Sequence, residues 1–251
     1  MQAVPPLAQQ QGPVGHRFPL CLLEVVEGGG ELRQGVLEDR RLLWETGLLE
    51  QDAVVLPLTA TVVVQPIHCA YILRQNCVQP DAVCGLDLSS LNEWRVSTFR
   101  EVDLRPDTGV PYETRGGACT SLVIPFGRAP APKPKAPPSG RSLGSLDSLG
   151  CPEEFTSVSI PITSDGLVTA VAYWFELDLG HGNRINTGPT GGVTLGGLPW
   201  LEEEAAPHWR QALAILPEGG IEVHKGQVLT MTVACVGSSI CITEARAETP
   251  T

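Results

Sequence analysis

Positive charge is scarce in this chain. Its 17 lysines and arginines stand against 28 aspartates and glutamates, a formal net charge of −11. A surface that neutralises nucleic-acid phosphates needs clustered cations, so direct DNA or RNA binding is not expected. A basic, arginine-rich partner suits this balance, as does the plainer role of keeping a protein in solution. Long apolar runs are missing too. No stretch approaches the roughly 18 apolar residues of a membrane-crossing helix, and the first residues lack the basic-then-apolar layout of a secretory signal. The eight cysteines include no CxxC pair, which leaves reduced, mostly buried thiols in the cytoplasm or nucleus as the expectation. No GxSxG elbow marks a nucleophilic serine, and no internal repeat is visible. His68, Cys69, Cys77 and Cys84 fall within one window, but without the tight pairs that preorganise zinc ligands. Buried single thiols are expected there, and no metal.

What is present is turn-forming residues and short β-rich runs. With 22 prolines, 27 glycines and 42% hydrophobic residues, the composition predicts many turns, little long helix and enough apolar surface for a core. Residues 1–15 are rich in proline and glutamine and are expected to be disordered. Leu20 to Val26 is a continuous apolar run typical of a buried strand. Gly28-Gly29-Gly30 ends that strand as a chain turn. Leu32, Val36, Leu42 and Leu43 then follow a helical spacing that stops near Gly47. Residues 16–50 therefore read as a strand-helix piece from the edge of a parallel α/β domain.

From Val54 onward the pattern changes. Strands are expected at Ala53–Pro57, Thr59–Val64, Val96–Val102, Ser121–Pro125, Thr156–Ile162, Val168–Leu179, Gln211–Leu216, Val228–Cys235 and Ser239–Thr243, with β-branched residues prominent and glycine turns between them. The fold class is mainly β. Residues 51–245 are expected to form one antiparallel β-barrel or sandwich. Residues 128–150, rich in proline, serine and lysine, read as a flexible insertion in a loop, and residues 186–204 as a second mobile loop. Tyr173-Trp174-Phe175 lies in a strand, with Trp174 facing away from its neighbours, and is expected to serve packing.

Just before one buried strand the chain reads Pro207-His208-Trp209-Arg210-Gln211. An imidazole, an indole and a guanidinium stand together at the mouth of an apolar run. That is how a site on a β-scaffold looks, although framework residues at a strand start look the same. This stretch, with Tyr173-Trp174-Phe175-Glu176-Leu177 before it and Lys225-Gly226-Gln227 after it, resembles the closing strands of the protein arginine methyltransferases. Leu23-Glu24-Val25-Val26 resembles the strand carrying that family's paired glutamates. Leu48 to Pro57, followed by Thr59-Ala60-Thr61-Val62, resembles the entry into its barrel, and Gly85-Leu86-Asp87-Leu88-Ser89 a segment of it. The ordered combination spans Leu20 to Thr243 and resembles most closely members built of tandem methyltransferase modules.

The resemblance implies transfer of a methyl group from S-adenosylmethionine to a protein arginine. Glu24 would be one of two carboxylates gripping the guanidinium. His208 would shape the arginine pocket and Trp209 would anchor its loop. Glu24 and His208 are thus the candidate catalytic residues, and Trp209 joins them in binding substrate. The second glutamate is expected nine or ten residues after Glu24, where Arg33-Gln34 stands instead; Glu31 or Glu27 would have to replace it. The family's nucleotide-binding sheet has no room before Leu20, so no cofactor is expected to bind this chain alone, and the chain is expected to be inactive by itself. In this reading it is the substrate-groove portion of such an enzyme, a degenerate module or a fragment of a longer product. The alternative is a non-enzymatic module that binds an Arg-rich peptide or a methyltransferase partner, with a face exposed by the missing domain. Residues 66–82 are the candidate for the family's dimerisation arm.

Overall fold

The computed structural model describes residues 17–78, 85–94, 96–127, 154–196, 204–205 and 209–249. In chain order the elements are β1 (Phe18–Leu22), α1 (Val36–Glu45), β2 (Leu49–Leu56), β3 (Thr59–His68), α2 (Ala70–Asn76), β4 (Thr98–Val102), β5 (Glu113–Thr114) and β6 (Cys119–Pro125). They continue with β7 (Glu154–Pro161), β8 (Gly166–Val168), β9 (Ala170–Gly180), β10 (Asn183–Asn186), β11 (Gly192–Thr194), β12 (Glu204–Ala205) and β13 (Gln211–Ile215). The last three are β14 (Ile221–Val223), β15 (Val228–Val236) and β16 (Ser239–Glu248). The chain is mainly β, as its pattern of β-branched runs requires.

The first unit is a parallel pair. β1 and β2 run side by side, with Leu20 opposite Val54 and Leu22 opposite Leu56, and α1 makes the crossover that a parallel pair demands. The helix starts later than the apolar spacing predicts. Gly35 sits at φ 78° immediately before Val36, and Val26 bridges Leu32. Residues between them therefore close a tight loop, and the Leu32 side chain serves that loop instead of a helix face.

The main sheet is organised on β9. One edge of β9 pairs with β3 over its whole length, from Thr59 opposite Asp178 to Ile67 opposite Ala170. Its other edge is divided: β13 takes the first half and β10 the second. β4 extends beyond β13, and β11 then β12 extend beyond β10. On the far side, β6 and β5 share the outer edge of β3. The strand β11 lies inside the stretch expected to be a mobile loop, and β12 begins at its last residue; such short runs carry too little pattern to be legible as strands.

A second, three-stranded sheet has the order β16-β15-β7, and β8 and β14 form a separate pair. Both sheets contribute to one core. Val62, Val64, Tyr173 and Phe175 from the first meet Ile160, Leu229, Met231 and Val233 from the second. The expected closed barrel is not found. Among the described residues no ladder joins β6 to β7, and the link between the two sheets is a single bridge from Gly116 to Ile162. The sandwich half of the expectation describes this arrangement better. Trp174 points to the opposite face of β9, into a smaller cluster with Val63, Val102 and Leu213, as strand alternation predicts. No described helix is long and apolar enough to cross a membrane.

Candidate functional site

The loop after Glu24 is tied to itself before it is tied to anything else. Glu27 N–H donates to the Glu31 carbonyl at 2.8 Å, Gly30 N–H to the Glu27 carbonyl at 3.0 Å and Arg33 N–H to the Val25 carbonyl at 2.9 Å. These bonds make residues 25–33 a small hairpin that leaves Glu24 exposed at its base. Among the described residues the Glu24 carboxylate has no hydrogen-bond partner. Its main-chain carbonyl accepts from Arg33 Nε at 2.9 Å. The same guanidinium reaches Asp39 Oδ2 at 2.5 Å. The loop is thus stitched by a guanidinium of its own, at the place where the family resemblance calls for a second carboxylate.

The alternatives to that carboxylate are committed elsewhere. Glu27 Oε1 accepts from the Gln34 main-chain N–H at 3.2 Å. Glu31 is buried at 8% exposure, and its Oε1 accepts from the Tyr173 hydroxyl at 3.1 Å. A carboxylate turned into the core toward β9 fastens the loop rather than facing a substrate.

The hairpin docks on the strand start that the sequence singles out. Arg210 N–H donates to the Gly28 carbonyl at 2.8 Å, and Glu101 N–H to the Gly29 carbonyl at 2.9 Å. Gly30 adopts φ +87°, and a Cβ there would lie 2.4 Å from the Arg210 carbonyl oxygen and 2.8 Å from the Gln211 carbonyl carbon. Only glycine allows both the backbone angle and the approach. At Gly30 the turn is therefore packed directly against the backbone of Arg210 and Gln211.

Trp209 closes the arrangement. Its indole N–H donates to the Val26 carbonyl at 3.3 Å, and its ring lines an open cavity of about 260 Å³ with Glu24, Val26, Leu56, Leu177, Leu179 and Ile185. The cavity lies where the carboxyl ends of the parallel strands β1 and β2 meet β9 and β10. Crevices at the carboxyl ends of parallel strands are the usual ligand positions of α/β units. Glu24 and Trp209, both named as site residues from the sequence, line this one cavity. His208 lies outside the described residues.

Several residues in this neighbourhood are not singled out by sequence reasoning. Asp103 bridges two arginines, reaching Arg105 at 2.6 Å and Arg210 at 2.5 Å. The Arg105 hydrogen bond first, then the charge of Arg210, holds its carboxyl down at about 2. Gln211, 1% exposed, accepts from Leu104 N–H at 3.0 Å and donates to the Thr187 carbonyl at 2.8 Å. It is a buried polar hub at the head of β13. A signal was available for it, since glutamine opening an otherwise apolar strand needs partners for both ends of its amide.

Among the described residues no group of three His, Cys, Asp or Glu side chains is placed to hold an ion. Cys69 is buried, its thiol against the Pro111 carbonyl at 3.7 Å, and burial pushes it above its ordinary range. Cys84 lies outside the described residues.

No family model matches the chain. It is 24% identical over 238 residues to protein arginine N-methyltransferase 9 of Mus musculus, covering 88% of this chain and 25% of that protein. It is 22% identical over 219 residues to the human protein of the same name, covering 78% and 24%. The chain thus spans about a quarter of the length of these curated relatives. Among solved structures it is similar to the Trypanosoma brucei PRMT1 enzyme-prozyme heterotetrameric complex with AdoHcy. There the TM-score is 0.60 and the identity 13%, with 96% of this chain and 66% of that one covered. These sequence and fold similarities relate this chain to the protein arginine methyltransferase family.

Proposed function

We propose that this chain is the substrate-groove part of a protein arginine methyltransferase, corresponding to a second module in relatives of tandem build, and that these 251 residues do not transfer a methyl group by themselves. The observation that carries this reading is the docking of the Glu24 hairpin on Trp209 and Arg210, which leaves one carboxylate at the mouth of the cavity. One carboxylate attracts a guanidinium; gripping its planar fork and keeping a nitrogen lone pair available takes two. Where the second would stand there is Arg33, paired with Asp39. The donor side is equally unsuited. Backbone packs against Gly30 of the glycine turn, and the cavity of about 260 Å³ falls below the roughly 300–1,000 Å³ of cofactor-sized pockets. This cavity is small for S-adenosylmethionine, and methyl transfer needs donor and acceptor held in line. The natural partner is an arginine-containing protein segment, met in the cytoplasm or nucleus.

Calorimetric titration with S-adenosylmethionine and a methylation assay on a Gly-Arg-rich peptide test this reading. No saturable cofactor binding and no methylated product are expected. Micromolar cofactor binding, or turnover abolished by Glu24→Gln, would overturn it.

A second reading, docking onto another methyltransferase module, is favoured by one feature. Phe18, Leu20 and Leu22 on β1 are 55%, 52% and 72% exposed, and among the described residues β1 pairs with β2 alone. A row of large apolar side chains on a half-paired strand is a surface to be covered.

A further inference from the structure

We infer that the cavity beside Glu24 takes a bulky apolar side chain next to the arginine of a bound peptide, so that the preferred segment is an arginine flanked by leucine or an aromatic residue rather than by glycine. The inference rests on the reading of this chain as a substrate-groove wall and adds the class of segment it selects.

Size decides first. An apolar cavity of about 150 Å³ is enough for one benzene ring, whereas cofactors take roughly 300–1,000 Å³. At about 260 Å³, this cavity suits one large side chain. Chemistry decides next. Leu22, Val26, Leu177, Leu179 and Ile185 supply an apolar lining, and Trp209 adds the face of an indole whose N–H is already engaged by the Val26 carbonyl. Nothing in that lining calls for a polar occupant. Charge decides the rest. Glu24, exposed on the same wall, is the lining residue with a negative charge. Glu27, also exposed, follows three residues later, and the nearby Arg33 is neutralised by Asp39 at 2.5 Å. An incoming cation thus meets a carboxylate beside an apolar opening. In a peptide, a guanidinium at Glu24 places the neighbouring side chain within reach of the cavity.

Fluorescence anisotropy with the whole chain and two labelled peptides reads this directly. One peptide holds arginine between glycines; the other has leucine or phenylalanine on either side. The flanked peptide is expected to bind about tenfold more tightly or better, the usual worth of one apolar group in a fitted pocket. Filling the cavity with Leu179→Trp should erase that difference; Ile185→Trp is the second filler, and the wild-type comparison stands without either variant. Equal affinity for the two peptides overturns the inference and leaves the substrate-groove reading intact. Equal binding of a flanked peptide whose arginine is replaced by norleucine, or no binding of any peptide, overturns both. If sedimentation shows dimers that Leu179→Trp dissociates, the occupant is a second copy of the chain, and the inference falls.

Discussion

Gly30 is the residue on which the site's geometry is most exposed to change. Alanine there must adopt φ +87° and place its methyl 2.4 Å from the Arg210 carbonyl oxygen. Left-handed backbone at a non-glycine residue costs about 1–3 kcal/mol before any clash is counted. Gly30→Ala is therefore expected to destabilise the fold by more than about 2 kcal/mol, read as a lower denaturation midpoint in urea. Tyr173→Phe removes a buried hydroxyl donor to Glu31 and is expected to cost about 1–2 kcal/mol in the same measurement. Asp103 makes a statement about pH. Its folded value, about 2, lies below the ordinary 3.8, so its stabilising effect is complete above that ordinary value and disappears as pH falls through 2. Thermal melts between pH 2 and 6 should show wild-type stability dropping at the acid end, and Asp103→Asn should flatten that drop. Of these residues, sequence reasoning reads Gly30 as a turn but not as a packing requirement. Close approach between segments 180 residues apart leaves no local trace.

At the scale of elements, β13 is the strand that holds the site to the core. Gln211 at its head satisfies Leu104 N–H and the Thr187 carbonyl at once. Leucine at this position keeps the volume and strands both groups, at about 2–4 kcal/mol; hydrogen exchange should show β4 losing protection before β3 does. The long strands were legible because alternation or continuous β-branched runs mark them: β3, β9, β13, β15 and β16 all lie where those runs predict. The short ones were not. β5, β10, β11, β12 and β14 have two to four residues each, and their strand character comes from neighbours rather than from their own pattern. The helix boundary departs from the apolar spacing for a related reason. Leu32 keeps helical spacing with Val36, yet Gly35 at φ 78° breaks the helix between them.

For the whole molecule, the expectation of a closed barrel erred where topology depends on pairing between distant strands. A run of strands announces two packed layers; it does not say which edges meet. The shared core across both sheets was legible, and the missing ladder between β6 and β7 was not. At the site, the family resemblance names Glu24 and Trp209, 185 residues apart, which line one cavity, while Arg33's grip on the Glu24 carbonyl is visible only in the structure. The molecule's net charge of −11 gives a global prediction. Attraction of an arginine peptide should weaken as salt is raised from 50 to 500 mM, whereas the advantage of an apolar neighbour should persist, because screening acts on charge and not on burial. Anisotropy titrations across that range check both parts.

The indole of Trp209 has one further consequence. Its N–H is bonded to the main chain of the hairpin that follows Glu24, and its ring forms part of the cavity wall, so it is wired to both halves of an approaching peptide. A pull on the carboxylate displaces its hydrogen-bond acceptor, and an occupant of the cavity removes water from its face. The emission spectrum of this one residue, isolated as the difference from a Trp209→Phe variant, should therefore act as an intrinsic optical reporter of occupancy, shifting to the blue without any attached dye.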